Sequence, residues 1–531
     1  YNPTYDDAGS QLNESSGQFA LMYTAIENAN LAIAGLRKYG SVETDAGMRY
    51  LLGESLVLRA FFYFDLIKAW GDVPMRFQPI GETGDVNKPR SDRDEIYKQI
   101  IADLEEAVDY VDWPGEGVRT GTVTRVNKAF AYGLLARVCL SAAGYAQRPD
   151  EGRIGTGDIG SNRRSKLVEA GQEWGDNILY TKALDACKAV IAKENVCVKL
   201  EGSFEEIWRD MMKRQVSAGG ETLFVIPFAD NRGQWMNNYA IRHATADKYC
   251  GKAGAGGTIG PVPTLFYEYD KADRRRDVTC IPYRWNGGKQ ELENVQKWYC
   301  GKYRYEWMND VISGNDCGIK PILMRYADVL LMAAEAANEL NDLPYAKEQL
   351  RKVRYRAFKS NEAVDKYLEG IGSKGAMFKA IYRERMLEFS CEQIRKQDLI
   401  RWGLLKKSLD DVKGKIDHTT YTSELTDKTY DFSLVGTKVY YKYDADGETI
   451  QLHGLDFGEA GEPDGEGWTL YTSKKTDGTL EEEYIKSGTT STGRIDMIYQ
   501  YDPDVHMFWP IFKQSITTNS LLANDYGYPV R

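Results

Sequence analysis

Between residues 53 and 75, apolar side chains fall on almost every side of one helical cylinder. Leu56, Ala60, Tyr63, Ile67 and Trp70 recur at three- and four-residue spacing. Val57, Phe61 and Phe64 form a second face, and Leu58, Phe62 and Leu66 a third. A helix that is apolar all round is buried inside a larger helical body. Gly71 and Val73-Pro74 end it. Glu54, Arg59 and Asp65 stay within the cylinder, and buried charges need partners. The expected partners are the charged residues of 325–328 and 383–401, in or at the head of other apolar helical runs.

The same periodicity predicts helices over 19–38, 48–70, 92–111, 123–145 and 179–193, and again over 323–340, 343–358, 376–389 and 391–409. Small-residue faces such as Ala333, Ala334, Ala336 and Ala337 let helices approach closely, and short turns such as Asn341-Asp342 suit antiparallel pairs. No strict 34-residue repeat is present. Two sections break the pattern. Residues 219–320 alternate aromatic, glycine and polar positions around a strand-like 222–227. Residues 420–501 carry a hairpin pattern, 439–443 and 449–452 about a turn at 444–447. The fold expected is mainly α. Helical hairpins build one large body over 1–531, with a core from 19–193 and 323–409, and loop-rich insertions at 219–320 and 420–501 carry the binding surface.

Four motifs in order resemble the SusD/RagB family of outer-membrane nutrient-binding lipoproteins. The first is Glu54, Leu58, Arg59, Ala60, Tyr63 and Trp70-Gly71-Asp72-Val73-Pro74. The second is 325–336, RYADVLLMAAEA. The third is Ile381, Arg383-Glu384-Arg385, Glu388-Phe389, then Asp398 to Trp402. The fourth is Phe508-Trp509-Pro510-Ile511 with Asn524-Asp525-Tyr526-Gly527-Tyr528. In the last, Trp509 is inserted, Phe512 replaces a proline, and Asp525-Tyr526 replaces the proline before Gly527. The resemblance implies tetratricopeptide-like helix pairs. It also implies a lipid-anchored place on the outer-membrane surface, with a signal peptide, a lipidated cysteine and an N-terminal segment ahead of Tyr1. The partner it implies is a SusC-like TonB-dependent transporter on which the protein sits as a lid.

Net charge of −10 and scattered basic residues exclude a nucleic-acid groove. No apolar run is long enough to span a bilayer. The eight cysteines form no CxxC. Of Cys250, Cys280, Cys300 and Cys317, a Cys280–Cys300 bridge and four free thiols are equally open. His243, His418, His453 and His506 are far apart, so neither a metal site nor a histidine-based catalytic centre is predicted. The glycine run 254–260 reads as a flexible loop and 444–448 as a hairpin turn rather than a calcium loop. No cofactor is expected.

The positive chemical signal is aromatic. With 35 Tyr and 11 Trp, the chain concentrates Trp235, Tyr239, Tyr249, Tyr283, Trp285, Trp298, Tyr299, Tyr303, Tyr305 and Trp307 in the middle section, beside Asn237, Asn238, Arg284 and Asn286. Sugar rings stack their C–H faces on aromatic planes while polar groups bond their hydroxyls. At least one of Trp235, Trp285 and Trp298 is expected to be exposed, with Tyr239, Tyr283 or Tyr299 nearby. The loop 76–90, with Arg76, Phe77, Gln78, Asp85 and Asn87, is a second rim. The reading is a non-catalytic binder of oligosaccharides or polysaccharides. Its rivals are a peptide-binding member of the same family, a helical glycoside hydrolase, and a structural scaffold.

Overall fold

The structure, a computed structural model, describes residues 17–84, 86–175, 177–474, 478–484 and 498–530. Asp85 of the second rim, and parts of the section 420–501, lie outside these.

The leading half is a row of helices: α1 (Gln18–Tyr39), α2 (Ala46–Trp70), α3 (Arg93–Ala107), α4 (Lys128–Ala142) and α5 (Ile178–Ile191). Each packs on the next. Local chemistry sets their starts. Asp45 accepts the Met48 N–H at 3.0 Å, and Asn127 accepts that of Phe130 at 3.0 Å, each covering an amide the helix leaves unpaired. No residue of 49–70 is fully exposed, as the all-round apolar pattern of α2 requires.

The row continues directly from α5 to α7 (Tyr326–Glu339), which packs on both α4 and α5. Then follow α8 (Leu343–Phe358), α9 (Asn361–Glu369), α10 (Lys374–Phe389), α11 (Arg395–Arg401) and α12 (Leu405–Asp417), with a short α13 (Lys513–Thr518) near the C-terminus. Everything between α5 and α7 is therefore spliced into an unbroken stack. That splice begins with α6 (Phe204–Met212), and beyond it β3 (Thr222–Val225) pairs antiparallel with β8 (Ile322–Arg325). The expected helix over 391–409 is two helices instead. Gly403, at φ 68°, turns the chain between them in a conformation glycine takes without a side-chain clash.

The charges in α2 find partners other than those expected. Arg59 donates Nε and Nη2 to the two Asp103 carboxylate oxygens of α3, both at 2.8 Å, and Nη1 to Asn30 of α1 and the Phe77 carbonyl. Glu54 pairs with Arg125, and Asp65 with Lys68 on its own helix. The reason is the stacking order. α2 lies between α1 and α3, so Arg59 meets residues of both, while Glu54 and Asp65 find partners in the chain just before α4 and on α2 itself.

The later charged segments pair with one another. Arg385 joins Asp328 at 2.7 Å and Asp398 at 2.8 Å, and Arg401 links Asp398 to Glu335. A larger cluster lies where the splice meets the stack. Glu388 accepts from Arg275 at 3.0 Å, from Arg325 at 2.9 Å and from Arg356. Arg325 and Arg356 share Glu221, Arg275 and Arg354 share Glu384, and Lys302 donates to Glu392 at 2.6 Å. All five cations are buried. Burial alone would raise the Glu388 carboxyl, but Arg356, Arg325 and Arg275 outweigh it and hold the group well below the usual carboxylate range.

The first and last motifs meet. Asp72 accepts from Arg93 at 3.0 Å and from the Tyr526 hydroxyl at 2.6 Å, and Trp70 Nε1 donates to the Pro510 carbonyl at 3.0 Å. Gly71 has φ 72°, and a Cβ there would lie 2.3 Å from the Tyr526 oxygen, so both conformation and space require glycine.

Candidate functional site

The middle section is a set of short ribbons rather than a sheet. β4 (Cys280–Ile281) pairs with β7 (Tyr299–Cys300), and β5 (Tyr283–Asn286) with β6 (Lys289–Leu292). The β5–β6 turn is Gly287-Gly288 at φ 59° and 77°, the two left-handed positions a tight two-residue hairpin demands. Cys280 and Cys300 face each other across β4 and β7, and all eight cysteines are free thiols.

The expected aromatic residues divide by exposure. Trp285 and Trp298 are each only 3% exposed. Trp285 packs edge-on against Tyr249 and parallel to buried His243. Trp298 meets Phe266 edge-on and donates Nε1 to the Tyr484 hydroxyl at 3.2 Å. Tyr299 is buried and donates its hydroxyl to Glu293 at 3.0 Å; burial, then the Glu293 charge, pushes its pKa up. Half-buried Tyr283 accepts from Arg304 at 3.1 Å, and burial raises it too. Trp285 and Trp298 therefore lie on covered faces and pack inside the section, while the opposite face of β5–β6 keeps Arg284 and Glu291 partly exposed.

Trp235 and Tyr239 differ. They sit one turn apart on a short helix, Trp235–Tyr239, with ring centroids 4.8 Å apart and planes 14° from parallel. Both keep part of their surface exposed, and Tyr239 leans on buried Tyr303. Asn238 is exposed and Asn237 half-buried between them. Arg284 and Asn286, expected as sugar-bonding neighbours, are turned to Glu291 instead.

Arg76 and exposed Asn87 belong to a different neighbourhood. Arg76 borders a groove of about 450 Å³ between α1, the loop after α2 and α13. Phe19, Tyr23, Pro74, Ile80 and Leu522 give the groove apolar wall, and Glu27, Asn28 and Asn519 give it polar groups; among the described residues its lining includes none from 219–320. Tyr23 donates its hydroxyl to the Pro74 carbonyl at 2.7 Å, and Glu27 accepts the Ile80 N–H at 2.9 Å, so the loop is fixed to α1. The helical spacing of Tyr23 marks it as a packing residue, and the structure also places it on the groove wall.

Among the described residues no cluster of three His, Cys, Asp or Glu side chains could hold a metal ion. Asp446 accepts the Glu448 and Thr449 amides, the hairpin-turn role expected of 444–448. Among the described residues no helix is long and apolar enough to cross a membrane.

Residues 277–528 match the model of the SusD family, and residues 4–140 a SusD-like model described as starch-binding, associating with outer membrane. The first takes in the three later motifs and the second the Glu54–Pro74 motif. SusD-like protein P25 of Formosa agariphila is 23% identical over 442 residues, 78% of this chain and 75% of its own length. A SusD homologue from Bacteroides thetaiotaomicron shares the fold at TM-score 0.62 and 20% identity, over 78% of this chain and 82% of that one. The surface glycan-binding protein A of the same organism, solved with laminarihexaose, does so at TM-score 0.53 and 20% identity, over 74% and 77%. With both ends matched by SusD-type models and the helical fold shared with solved SusD structures, the chain belongs to the SusD-like proteins.

Proposed function

We propose that this chain is a cell-surface, lipid-anchored binding protein of the outer membrane that captures oligosaccharides and passes them to a SusC-like TonB-dependent transporter, without catalysis. The observation that carries the reading is the match of its leading helices to a family described as starch-binding and associating with outer membrane. The laminarihexaose complex of one structural relative supports a glycan as the ligand class. The contacts proposed are Trp235 and Tyr239, the partly exposed stacked pair, with Tyr283 beside Arg304 and with Arg76 and Asn87 on the second rim. Trp285, Trp298 and Tyr299, which the sequence also offers, support this layer from within.

The test is affinity electrophoresis and calorimetry of the purified chain against laminarin, glycogen, xyloglucan and galactomannan and their hexasaccharides. Retardation by at least one polymer, without release of shorter products, is expected. Binding of none of them, with binding of a peptide pool instead, overturns the glycan reading. Turnover abolished by one Asp or Glu substitution overturns the non-catalytic one. Transfer is tested by reconstitution with a TonB-dependent transporter from the same membrane. Absence of a complex removes that part.

A further inference from the structure

A second groove has none of the residues named for ligand contact in its lining. It holds about 670 Å³ and is bordered by Tyr145, Asp150, Glu151 and the run from Arg163 to Lys166. It forms at the open end of the ribbon of β1 (Tyr145–Arg148) and β2 (Ser161–Arg164), where Tyr145 stands directly across from Arg164. Tyr145 is 41% exposed. Its ring rests on Gly403, where a Cβ would come within 3.1 Å of the ring. The glycine that breaks the α11–α12 run therefore also gives an exposed ring a flat backbone support.

The polar groups are placed on both sides of that ring. Arg163 donates Nη2 to the Pro149 carbonyl and Arg164 donates Nε to that of Ala143, both at 2.7 Å, so each guanidinium is held in position at the groove. Lys166 pairs with Glu151 at 2.5 Å. Arg163, Arg164 and Lys166 are matched by Asp150, Glu151 and Glu169, so the lining is electrically balanced. Balance disfavours a polyanion or a cationic peptide, each of which needs a field of one sign. A supported aromatic plane with donors and acceptors around it fits a neutral ligand with an apolar face and a hydroxylated rim. A neighbouring hollow of about 260 Å³ shares Arg164 and Val168 with the groove and is lined also by Trp174, Asn177 and Tyr180.

We infer that this groove is a second contact site for a neutral glycan chain, with one sugar ring stacked on Tyr145 and its hydroxyls bonded by Arg163, Arg164 and Asp150. The inference rests on the reading of the chain as a glycan binder. Its test uses whichever of laminarin, glycogen, xyloglucan and galactomannan retards the parent in affinity gels. Tyr145→Ala is expected to weaken retardation roughly three- to tenfold, an aromatic stacking contribution. Tyr145→Phe should bind like the parent, and Arg163→Ala should shift affinity in the same direction as Tyr145→Ala while leaving the ring in place. The double variant Trp235→Ala/Tyr239→Ala should keep residual binding that Tyr145→Ala then removes. Unchanged retardation of folded Tyr145→Ala and Arg163→Ala, with the parent retarded, overturns this inference alone. A parent that none of the polymers retards overturns it together with the proposed function.

Discussion

The core of the α1–α3 stack and the seam between the splice and α7–α10 are both buried, yet they are joined by different physics. In the stack, Leu56, Val57, Ala60 and Tyr63 are 0% exposed, and Arg59–Asp103 is the ion pair that crosses from α2 to α3. At the seam, Arg275, Arg325, Arg356, Arg354 and Lys302 meet Glu221, Asp273, Glu384, Glu388 and Glu392. Apolar area is non-directional and stabilises any arrangement that removes it from water. A buried ionic cluster contributes little net stability but strongly penalises any arrangement that leaves a member unpaired. The stack is held by area, whereas the seam fixes one pose of the loop-rich section against the helices.

The contrast breaks first at Glu388. Glu388→Ala leaves three buried guanidiniums short of an acceptor. It should cost about 3–5 kcal/mol, read by urea unfolding. A loss below 1 kcal/mol would mean the seam relaxes and is not a fixed joint. Next is acid. Burial opposes ionisation of Asp328, but Arg385 and Arg137 more than offset it and hold its carboxyl, like that of Glu388, well below the usual range. A carboxyl depressed by folding gives stability present above its unfolded pKa of about 4, and lost as pH falls through the folded value. Melting temperature should thus be level from pH 8 to 5 and fall below pH 4. A protein equally stable at pH 3 contradicts the ionic seam. Leu56→Ala tests the stack, with an expected loss of about 2–4 kcal/mol from transfer and cavity terms and no change in the acid profile. The smallest expected effect on stability is at the rim. Trp235→Ala should change it by less than about 0.5 kcal/mol while lowering glycan affinity roughly ten- to a hundredfold. An equal loss of stability would return Trp235 to the packing residues.

The long helices were legible because a 3.6-residue period survives any tertiary setting. α8 spans 343–358 as its pattern indicates. Partners were less legible. The sequence shows that Arg59 must be paired, but only the stacking order selects Asp103 over Asp328. The fate of the tryptophans was hidden for a related reason. A ribbon's period of two separates its faces without telling which one is covered, and Trp285 lies on the covered face of β5. Tyr145 was read as the tail of a helix over 123–145, although that helix ends at Ala142 and the chain turns into β1. α6 was missed because its nine residues follow an irregular stretch and carry only two turns of pattern.

The pairing of Thr222–Val225 with Ile322–Arg325 makes residues 226–321, the part of the splice beyond α6, a cassette. Its two ends leave the stack as hydrogen-bonded neighbours, so a transplant from a relative needs to match one ladder and a few charges instead of a whole helical surface. The acceptor for such a transplant is already specified at the hem. Glu221 and Arg325 flank the ladder and Glu388 waits in α10. Exchange of the loops within this frame is therefore an engineering problem of about two strand ends, and the helices behind them can stay as they are.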